Sequence, residues 1–295
     1  MKTLKEYIKE AEEKSIAIGH FNISNLEGLH GIYNASKKLS EETGEKIPII
    51  IGLSEGEKNF VGTDEAVALI KEIHDDDNYP MFLNADHHYS FESVKEVLDA
   101  GFDSVIIDAV KLPLEENIAL TKKCVKYARE LGEKKGRDIL IEAELGFIGQ
   151  SSKLLEEIPE GVSEATMTDP GNAKYFVQQT RINLLAPSVG NIHGMVKGGN
   201  PKIDIKRIKE IREACDVPLV LHGGSGILDE DFIKAIKAGI SIIHINTEIR
   251  VAYKEALKKS LAENPLEIAP YKFLKPAVEA IERVVYDRLK LFNNL

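Results

Sequence analysis

The feature of this sequence that most constrains its fold is a regular alternation of short apolar runs with longer amphipathic segments. Eight apolar runs have the length and composition of buried strands, and the segments between them repeat apolar residues at helical spacing. This alternation, with no linker between two halves, predicts a single-domain (β/α)8 TIM barrel over residues 1–295. The predicted strands are residues 15–21, 47–51, 80–85, 101–108, 137–144, 182–187, 217–221 and 240–245.

Helices are predicted between the strands and at both ends of the chain. Residues 4–14 form an N-terminal capping helix, residues 251–295 form a mostly helical C-terminal extension, and residues 150–168 form a long polar segment. The alternative fold is an open doubly wound sheet, which would place a GxGxxG-type turn after an early strand, and the sequence has none there. The remaining helices are predicted at residues 25–39, 63–75, 91–100, 114–134, 171–180, 203–215 and 230–238.

Charge and composition restrict the partners of the protein. A formal net charge of -10 argues against sequence-independent binding to nucleic acid or to a membrane surface, because no basic block offsets the acidic residues. The two cysteines, Cys124 and Cys215, form no CxxC motif, and no apolar run reaches the roughly 18 residues of a membrane span. The N-terminus also lacks the apolar core of a signal peptide. We therefore expect a cytoplasmic protein with a small-molecule ligand.

Polar side chains follow most of the predicted strands. In a barrel, these positions gather at the C-terminal face. His87, His193 and His222 follow strands three, six and seven, and three converging imidazoles match a catalytic divalent metal, with zinc as the first choice. The alternative is that they are three unrelated polar caps. The full set at this face is Asn22, Ser54, Asp86, His87, Asp108, Glu144, His193, His222, Asn246 and Thr247.

A glycine-rich loop after strand seven predicts an anion site beside these histidines. Gly223-Gly224-Ser225-Gly226 offers backbone N–H groups and a hydroxyl at a helix N-terminus, which favours phosphate over the alternative of an ordinary tight turn. Asn246 and Thr247 close the adjacent strand, and Lys197 adds a cation one short loop away. Because no lysine lies at a predicted strand end, a Schiff-base route is disfavoured and a metal is expected to act as the electron sink.

Taken in order, the motifs at these strand ends resemble those of the class II, metal-dependent ketose-bisphosphate aldolases. The resemblance extends from about Ser15 to Tyr253. It is carried by Phe21-Asn22, Asn25-Leu26-Glu27, Ser54-Glu55-Gly56, Asp86-His87, Gly101-Phe102-Asp103-Ser104-Val105 with Asp108, Glu142-Ala143-Glu144-Leu145-Gly146, Gly190 with His193-Gly194, Leu221-His222-Gly223-Gly224-Ser225-Gly226, and Asn246-Thr247-Glu248.

The resemblance implies a set of roles for these residues. His87, His193 and His222 would hold the zinc, with Glu144 and Asp108 as alternative or second-site carboxylates, and Asp86 would handle the hydroxyl proton of the aldehyde half. The resemblance also implies a phosphorylated sugar substrate, a homodimer or homotetramer, and a monovalent cation near the phosphate. The residues expected to bind substrate are Ser54, Gly194, Lys197, Gly223, Gly224, Ser225, His244, Asn246 and Thr247.

The chain departs from the family pattern at three places. His244 stands where the family usually has an asparagine that steadies the enediolate, and His88 follows Asp86-His87 where a small residue is common. The family's Ile-Gly-Gly with acidic residues soon after it is replaced by Ile148-Gly149-Gln150-Ser151-Ser152-Lys153, which leaves the carbon base unassigned. Acidic residues lie later in this loop, at positions 156, 157 and 160.

We expect a zinc-dependent enzyme that reversibly cleaves a ketose bisphosphate, most simply fructose 1,6-bisphosphate, to dihydroxyacetone phosphate and an aldehyde such as glyceraldehyde 3-phosphate. The departures leave two alternatives open. One is an aldolase for tagatose 1,6-bisphosphate or for a deoxy-ketogluconate phosphate. The other is a phosphosugar-binding barrel that has lost proton transfer.

Overall fold

The strands of this protein close into a parallel barrel. The computed structural model describes residues 1–75, 77–149 and 152–295. Within these residues, eight strands pair in parallel with their neighbours in chain order, and the first pairs with the eighth. This topology confirms the predicted (β/α)8 barrel. The barrel strands, first to eighth, are Ile18–Asn22, Ile49–Ser54, Met81–His88, Ser104–Ile107, Leu140–Leu145, Leu184–Pro187, Leu219–Leu221 and Ile240–Ile245.

Helices alternate with the strands and cover both ends of the chain. One of them, Glu55–Val61, lies where no helix is predicted, and it begins with a capping box in which Ser54 and Glu57 exchange hydrogen bonds. The last helical region begins at Thr247 rather than at residue 251. The α-helices are Leu4–Lys14, Leu26–Thr43, Glu55–Val61, Thr63–Asp75, Phe91–Ala100, Leu114–Lys135, Pro170–Thr180, Ile205–Ala214, Asp229–Ala238, Thr247–Glu263, Pro270–Phe273 and Lys275–Phe292.

The polar segment predicted at residues 150–168 has more regular structure than the sequence suggests. Leu154–Leu155 pairs in parallel with Met195–Val196, and a 3-10 turn covers Glu164–Thr166. This short ladder joins the loop after the fifth strand to the loop after the sixth. Gln150 and Ser151, which belong to the segment, lie outside the described residues.

The interior of the barrel changes from apolar to polar along each strand. Side chains alternate between two faces of a strand. On the third strand, Met81 and Leu83 pack in the large core that includes the surrounding helices, whereas Phe82 lies in a separate cluster inside the barrel. Asn84 continues the inward face and hydrogen-bonds across to His20 and Ser104 on the first and fourth strands. The same alternation therefore delivers polar groups to the C-terminal end.

The N-terminal helix, Leu4–Lys14, closes the opposite end. Its buried face, Leu4, Ile8 and Ala11, belongs to the apolar cluster inside the barrel together with Phe82. The C-terminal helix Lys275–Phe292 packs along Leu26–Thr43, where a Cβ on Gly31 would lie 2.7 Å from Ile281. No helix in the described part of the chain combines the length and apolar character needed to cross a membrane.

Candidate active site

The end of the third strand brings two neighbouring residues to the same face. The strand continues past its predicted end at residue 85 to His88, and its register with the fourth strand shifts between Ala85 and His88. His87 has a positive φ of 48°, a conformation that costs a residue with a side chain roughly 1–2 kcal/mol. The irregularity breaks the strict alternation of the strand. Both Asp86 and His87 consequently line the cavity at the barrel mouth.

The three predicted histidine ligands lie together at this mouth. The ring centroids of His87 and His193 are 4.8 Å apart, those of His87 and His222 are 5.1 Å apart, and those of His193 and His222 are 5.9 Å apart. One nitrogen from each ring and one oxygen of Glu144 all lie within 4.8 Å of one another. Atoms this close together could hold one divalent metal ion between them.

The ring orientations also suit a shared ion. The planes of these three rings cross at 62–78°, so their in-plane lone pairs can converge on one point. Gly223 holds the two loops together, because with a φ of 62° it approaches so closely that a Cβ would lie 2.0 Å from the carbonyl oxygen of Ile192. Asn200 reinforces this contact by donating to the carbonyl oxygens of Gly194 and Ser225. No sequence motif pointed to Asn200.

Carboxylates surround the histidine cluster and set its charge. Glu144 Oε1 is 3.3 Å from His87 Nδ1 and 2.8 Å from His222 Nδ1. Glu142 Oε1 contacts the other nitrogen of His222 at 2.6 Å, and Asp108 Oδ2 is 3.3 Å from His87 Nδ1. Glu142 belongs to a motif noted in the sequence, but its contact with a candidate ligand was not predicted. Glu142 is thus a second carboxylate that contacts His222 from behind the cluster and orients its ring.

These contacts split the pKa values of the three histidines. Burial disfavours the charged imidazolium, but the charges of Glu144 and Asp86 and the hydrogen bond with Asp108 raise the pKa of His87 to about 9. Burial also opposes protonation of His222, whose pKa is nevertheless raised well above 6.5 by Glu144 and Glu142. Burial and the charges of the other two rings lower the pKa of His193 well below 6.5. The imidazole of His193 is therefore neutral at pH 7.

Asp86 has one occupied and one unoccupied carboxylate oxygen. Asn22 donates to Oδ2 at 2.8 Å, whereas Oδ1 has no hydrogen-bond partner among the described residues. Oδ1 lies 3.6 Å from His87 Nε2 and 3.8 Å from His244 Nδ1. Burial by itself raises the pKa of this carboxyl, but the charge of His87 and of other nearby imidazoles lowers it well below its usual range. Asp86 is thus an ionised, buried base with a free oxygen.

A cavity of about 450 Å³ opens beside Asp86 and the histidines. The backbone N–H groups of Gly194, Gly223 and Ser225 have no hydrogen-bond acceptor within the described ranges, as expected for an anion cradle. Gly224 is placed differently, because its N–H donates to the carbonyl oxygen of His244. The predicted residues that line the cavity are Asn22, Ser54, Asp86, His87, Asp108, His193, Gly194, Gly223, Ser225, His244, Asn246 and Thr247.

Lys197, the predicted cation of the cradle, does not line this cavity. Its side chain is 64% exposed and forms an ion pair with Glu156. Two other cations line the cavity instead, Lys153 and Arg250. Arg250 lies one helical turn beyond Asn246 and pairs with Glu57. Arg250 was not predicted because it lies beyond the strand end, in the first turn of the following helix, which also faces the mouth.

The site satisfies a direct test of metal fit. His222 Nδ1 and Glu144 Oε1 are buried and make no hydrogen bond within the described residues, although they lie 2.8 Å apart. Buried polar atoms left without partners cost free energy, and a cation between the three rings and Glu144 would satisfy both. The acidic residues at positions 156, 157 and 160 of the neighbouring loop are exposed. None of them lines the cavity, so no carbon base is identified there.

Known proteins are similar to this chain over nearly all of its length. The family model described as "Fructose-bisphosphate aldolase class-II" matches residues 2–295. A fructose-bisphosphate aldolase of Geobacillus stearothermophilus is 37% identical over 295 residues, covering 99% of this chain and 96% of the relative. A fructose-bisphosphate aldolase of Staphylococcus aureus is 39% identical over 293 residues, covering 98% and 96%. The crystal structure of the YdjI aldolase from Escherichia coli K12 superposes with a TM-score of 0.78 at 29% identity, covering 99% of this chain and 97% of that one.

Proposed function

The chain belongs to the class II fructose-bisphosphate aldolase family and is an aldolase, and we propose that its substrate is fructose 1,6-bisphosphate. The proposed reaction is reversible cleavage to dihydroxyacetone phosphate and glyceraldehyde 3-phosphate. Members of the family depend on a metal and act on phosphorylated sugars. The names of the two bacterial relatives support the choice of substrate.

The observation that carries the proposal is the juxtaposition of three features at one barrel mouth. Two rings of the histidine tripod, His87 and His193, border the same cavity as Asp86 and the cradle of unpartnered N–H groups, and the third ring, His222, is buried beside them. A phosphorylated ketose requires all three, because its phosphate must be bound, its carbonyl polarised and its hydroxyl deprotonated.

We propose that the metal is zinc and that His87, His193 and His222 are its ligands. Three histidines with an open position are typical of catalytic zinc, and Glu144 is a fourth donor within reach. Asp108 then acts through its contact with His87 rather than as a ligand. When bound, the metal supplies Lewis-acid stabilisation of the negative charge that develops on the ketone half.

Asp86 performs the proton transfer in this proposal. In the cleavage direction, Oδ1 accepts the proton of the C4 hydroxyl and the C3–C4 bond breaks. The electron pair of that bond passes to the dihydroxyacetone-phosphate half, and a proton taken up at C3 from water completes that product. In the condensation direction, Asp86 returns the proton to the aldehyde oxygen. Asn22 holds Oδ2 and thereby aims the other oxygen at the cavity. A positioned base of this kind contributes about 10²–10⁴-fold to the rate.

The phosphate of the dihydroxyacetone-phosphate half is assigned to the cradle of Gly194, Gly223 and Ser225, with Asn246 and Thr247 beside it. Unpartnered N–H groups favour an anion, and here they lie against a largely buried wall. Lys153 and Arg250 contribute the local positive charge that an acidic protein needs in order to attract a bisphosphate. Ser54 completes the opposite side of the cavity.

A second candidate substrate is a different phosphosugar, such as tagatose 1,6-bisphosphate or a deoxy-ketogluconate phosphate. The observation that favours it is His244, an imidazole that lines the cavity where the family usually has an asparagine. A change of hydrogen-bonding group beside the reacting carbons can alter which hydroxyl stereochemistry is accepted.

One experiment tests both candidates. The metal-replete protein is assayed with fructose and tagatose bisphosphates, with and without a chelator, beside the isosteric variant Asp86→Asn. We expect fructose bisphosphate to be preferred, chelator to abolish turnover, and Asp86→Asn to lose about 10²–10⁴-fold in kcat with its zinc content unchanged. A preference for tagatose bisphosphate would favour the second candidate, and undiminished turnover by Asp86→Asn would remove the assigned role.

Three further expectations belong to the same proposal. We propose that residues 1–295 act as one domain and that the protein assembles as a homodimer or homotetramer in the cytoplasm. We also propose that a monovalent cation binds near the phosphate. Light scattering tests the assembly, and a comparison of KM in potassium and in tetramethylammonium buffers tests the cation.

A further inference from the structure

Three histidine rings form a stacked column beside the proposed metal ligands. The rings of His20 and His244 are parallel within 4°, with centroids 3.5 Å apart. His244 in turn stacks on His222, with centroids 4.1 Å apart and planes 22° apart. The column follows from the sheet, because His20 and His244 are register partners on the first and eighth strands and His222 follows the neighbouring seventh strand.

The geometry of this column does not suit metal binding, although its nitrogens are close together. An imidazole binds a metal in its own ring plane, along the nitrogen lone pair. The planes of His20 and His244 are parallel and stacked 3.5 Å apart, so one ion cannot lie in both. The rings of His87, His193 and His222, in contrast, cross at 62–78°. The column of His20, His244 and His222 is therefore not a second metal site.

His20 is fixed at the outer end of the column. Its Nε2 is 3.1 Å from Asn84 Oδ1, and the amide nitrogen of Asn84 donates to Ser104 Oγ at 2.7 Å. Asn84 therefore accepts from His20, so Nε2 carries the proton. On its other side the ring lies against Gly52, where a Cβ would be 2.2 Å from His20 Cε1. His20 is buried and does not line the cavity, so its ring has no direct access to a substrate.

His244 has no such anchor of its own. It is 94% buried, and neither of its ring nitrogens hydrogen-bonds to another described residue. Asp86 Oδ1 lies 3.8 Å from its Nδ1, beyond hydrogen-bond distance. Its ring plane is set by the stacking on His20 and His222. A buried ring without hydrogen bonds costs free energy, so its presence beside the free oxygen of Asp86 indicates that a substrate supplies the missing partner.

We propose that His20 is a positioning residue for His244, and that stacking on His20 holds the His244 ring ready to hydrogen-bond the ketone half of the substrate beside Asp86. The proposal rests on the proposed aldolase function. A hydrogen-bonding group that is fixed before the reaction needs no reorganisation during it, and groups of this kind contribute about 10²–10³-fold to kcat. The His244 imidazole, oriented by His20, would thus take the place of the asparagine side chain that the family usually has at this position.

A double-mutant cycle tests the proposal. The variants His20→Gln, His244→Asn and the double variant are compared for kcat, KM, exchange of the C3 proton of dihydroxyacetone phosphate, and zinc content. We expect His20→Gln to lower kcat about tenfold with KM and zinc content unchanged, and His244→Asn to lower it about a hundredfold. In the His244→Asn background, His20→Gln should change kcat less than about twofold, because no ring remains to be positioned. His30→Gln, at an exposed helix position, is the matched control.

Equal effects of His20→Gln in both backgrounds, or no effect on kcat in the parent protein, would overturn the proposal. If His20→Gln does not fold, Asn84→Ala keeps both rings while removing the anchor of His20, and the same pattern is expected. A crystal structure of the zinc-loaded variant gives an outcome independent of substrate. The His244 ring should leave its parent plane, and an unmoved ring would refute the positioning role even in a protein active on another sugar. Absence of any aldol activity in the parent protein would instead contradict the proposed function.

Discussion

The two ends of the barrel interior are built from opposite kinds of residue. At the N-terminal end, the cluster under the capping helix is apolar, and its members Ile8, Ile50 and Phe82 are nearly inaccessible to solvent. At the C-terminal mouth, Asp86, Glu144 and His222 are also buried and His87 and His193 are half-buried, yet several polar atoms of the buried groups lack hydrogen-bond partners among the described residues. The same eight strands support both ends.

Stability and chemistry are located at opposite ends of this barrel. Burying apolar side chains stabilises the folded state, whereas burying charged groups with unpaired atoms destabilises it unless a ligand completes them. The mouth can hold its strained and unsatisfied residues because the closed end and the surrounding core stabilise the barrel independently. Substitutions at the two ends should therefore separate activity from stability.

The largest expected effect is the loss of activity on removing a ligand at the mouth. His193→Ala should lower zinc content to near the background and reduce turnover by about a thousandfold or more, since Lewis-acid stabilisation contributes several kcal/mol. His193 is the preferred target because it is neutral and pairs with no described carboxylate, so its removal leaves no buried charge without a partner. Elemental analysis and a coupled assay measure the two quantities. A variant with full zinc content and full activity would exclude His193 as a ligand.

At the closed end, Phe82→Ala should cost about 3–5 kcal/mol of unfolding free energy, because it removes a buried aromatic ring and leaves a cavity. Urea denaturation at fixed zinc concentration measures this cost, and kcat should remain within about twofold of the parent value. Phe60→Ala is the control, because that ring is 79% exposed and its loss should change stability by less than about 0.5 kcal/mol. A fall in kcat that accompanies the fall in stability would show that the two ends are coupled.

The contrast between the ends also explains what the sequence could predict. The eight strands and their order follow from alternation of apolar residues, which is a local and repeated signal. The histidine tripod followed from strand ends in the same way, because the barrel fixes where those ends meet. Interactions between distant loops left no local pattern. The pairing of Leu154–Leu155 with Met195–Val196, and the turning of Lys197 toward Glu156, depend on which loops meet.

Two features of the mouth depend on backbone and ring geometry that composition does not encode. The positive φ of His87 lies where the register of the third strand shifts. Two polar residues in succession do not by themselves predict such a shift. The column of His20, His244 and His222 requires the register of three neighbouring strands. No sequence pattern assigns a role to His20, because the stacking of rings on different strands is visible only in three dimensions.

Metal binding at the mouth should release protons, because the pKa of His87 is raised from 6.5 to about 9 in the absence of a metal. A metal binds only the unprotonated ring, so zinc should release at least about one proton more per protein at pH 7 than at pH 10, with His87 as the source. Calorimetry in buffers of different ionisation enthalpy measures this release. The raised pKa stabilises the metal-free fold fully below pH 6.5, and that stabilisation is lost as pH rises through about 9. The melting temperature of the metal-free protein should fall over this range.

Glu144→Gln is the matched variant for this prediction. Its carboxylate is the largest favourable influence on the His87 pKa, so neutralising it should move the proton release to lower pH. The apolar end provides a background check, because Phe82→Ala should leave the pH profile of proton release unchanged. Heats of zinc binding that do not depend on the buffer at pH 7 would contradict the raised pKa.

The smallest expected effects come from one local motif that occurs at both ends. Thr3 caps the helix at the closed end and Ser54 caps the helix at the mouth, each in a capping box with a glutamate three residues later. Thr3→Ala and Ser54→Ala should each cost about 1 kcal/mol of unfolding free energy, because each removes one capping hydrogen bond. Only Ser54→Ala should raise KM, since Ser54 also lines the cavity. Thr3→Ser and Ser54→Thr retain the caps as controls. If Thr3→Ala raised KM equally, the closed end would contribute to substrate binding, and the separation of stability from chemistry along the barrel would fail.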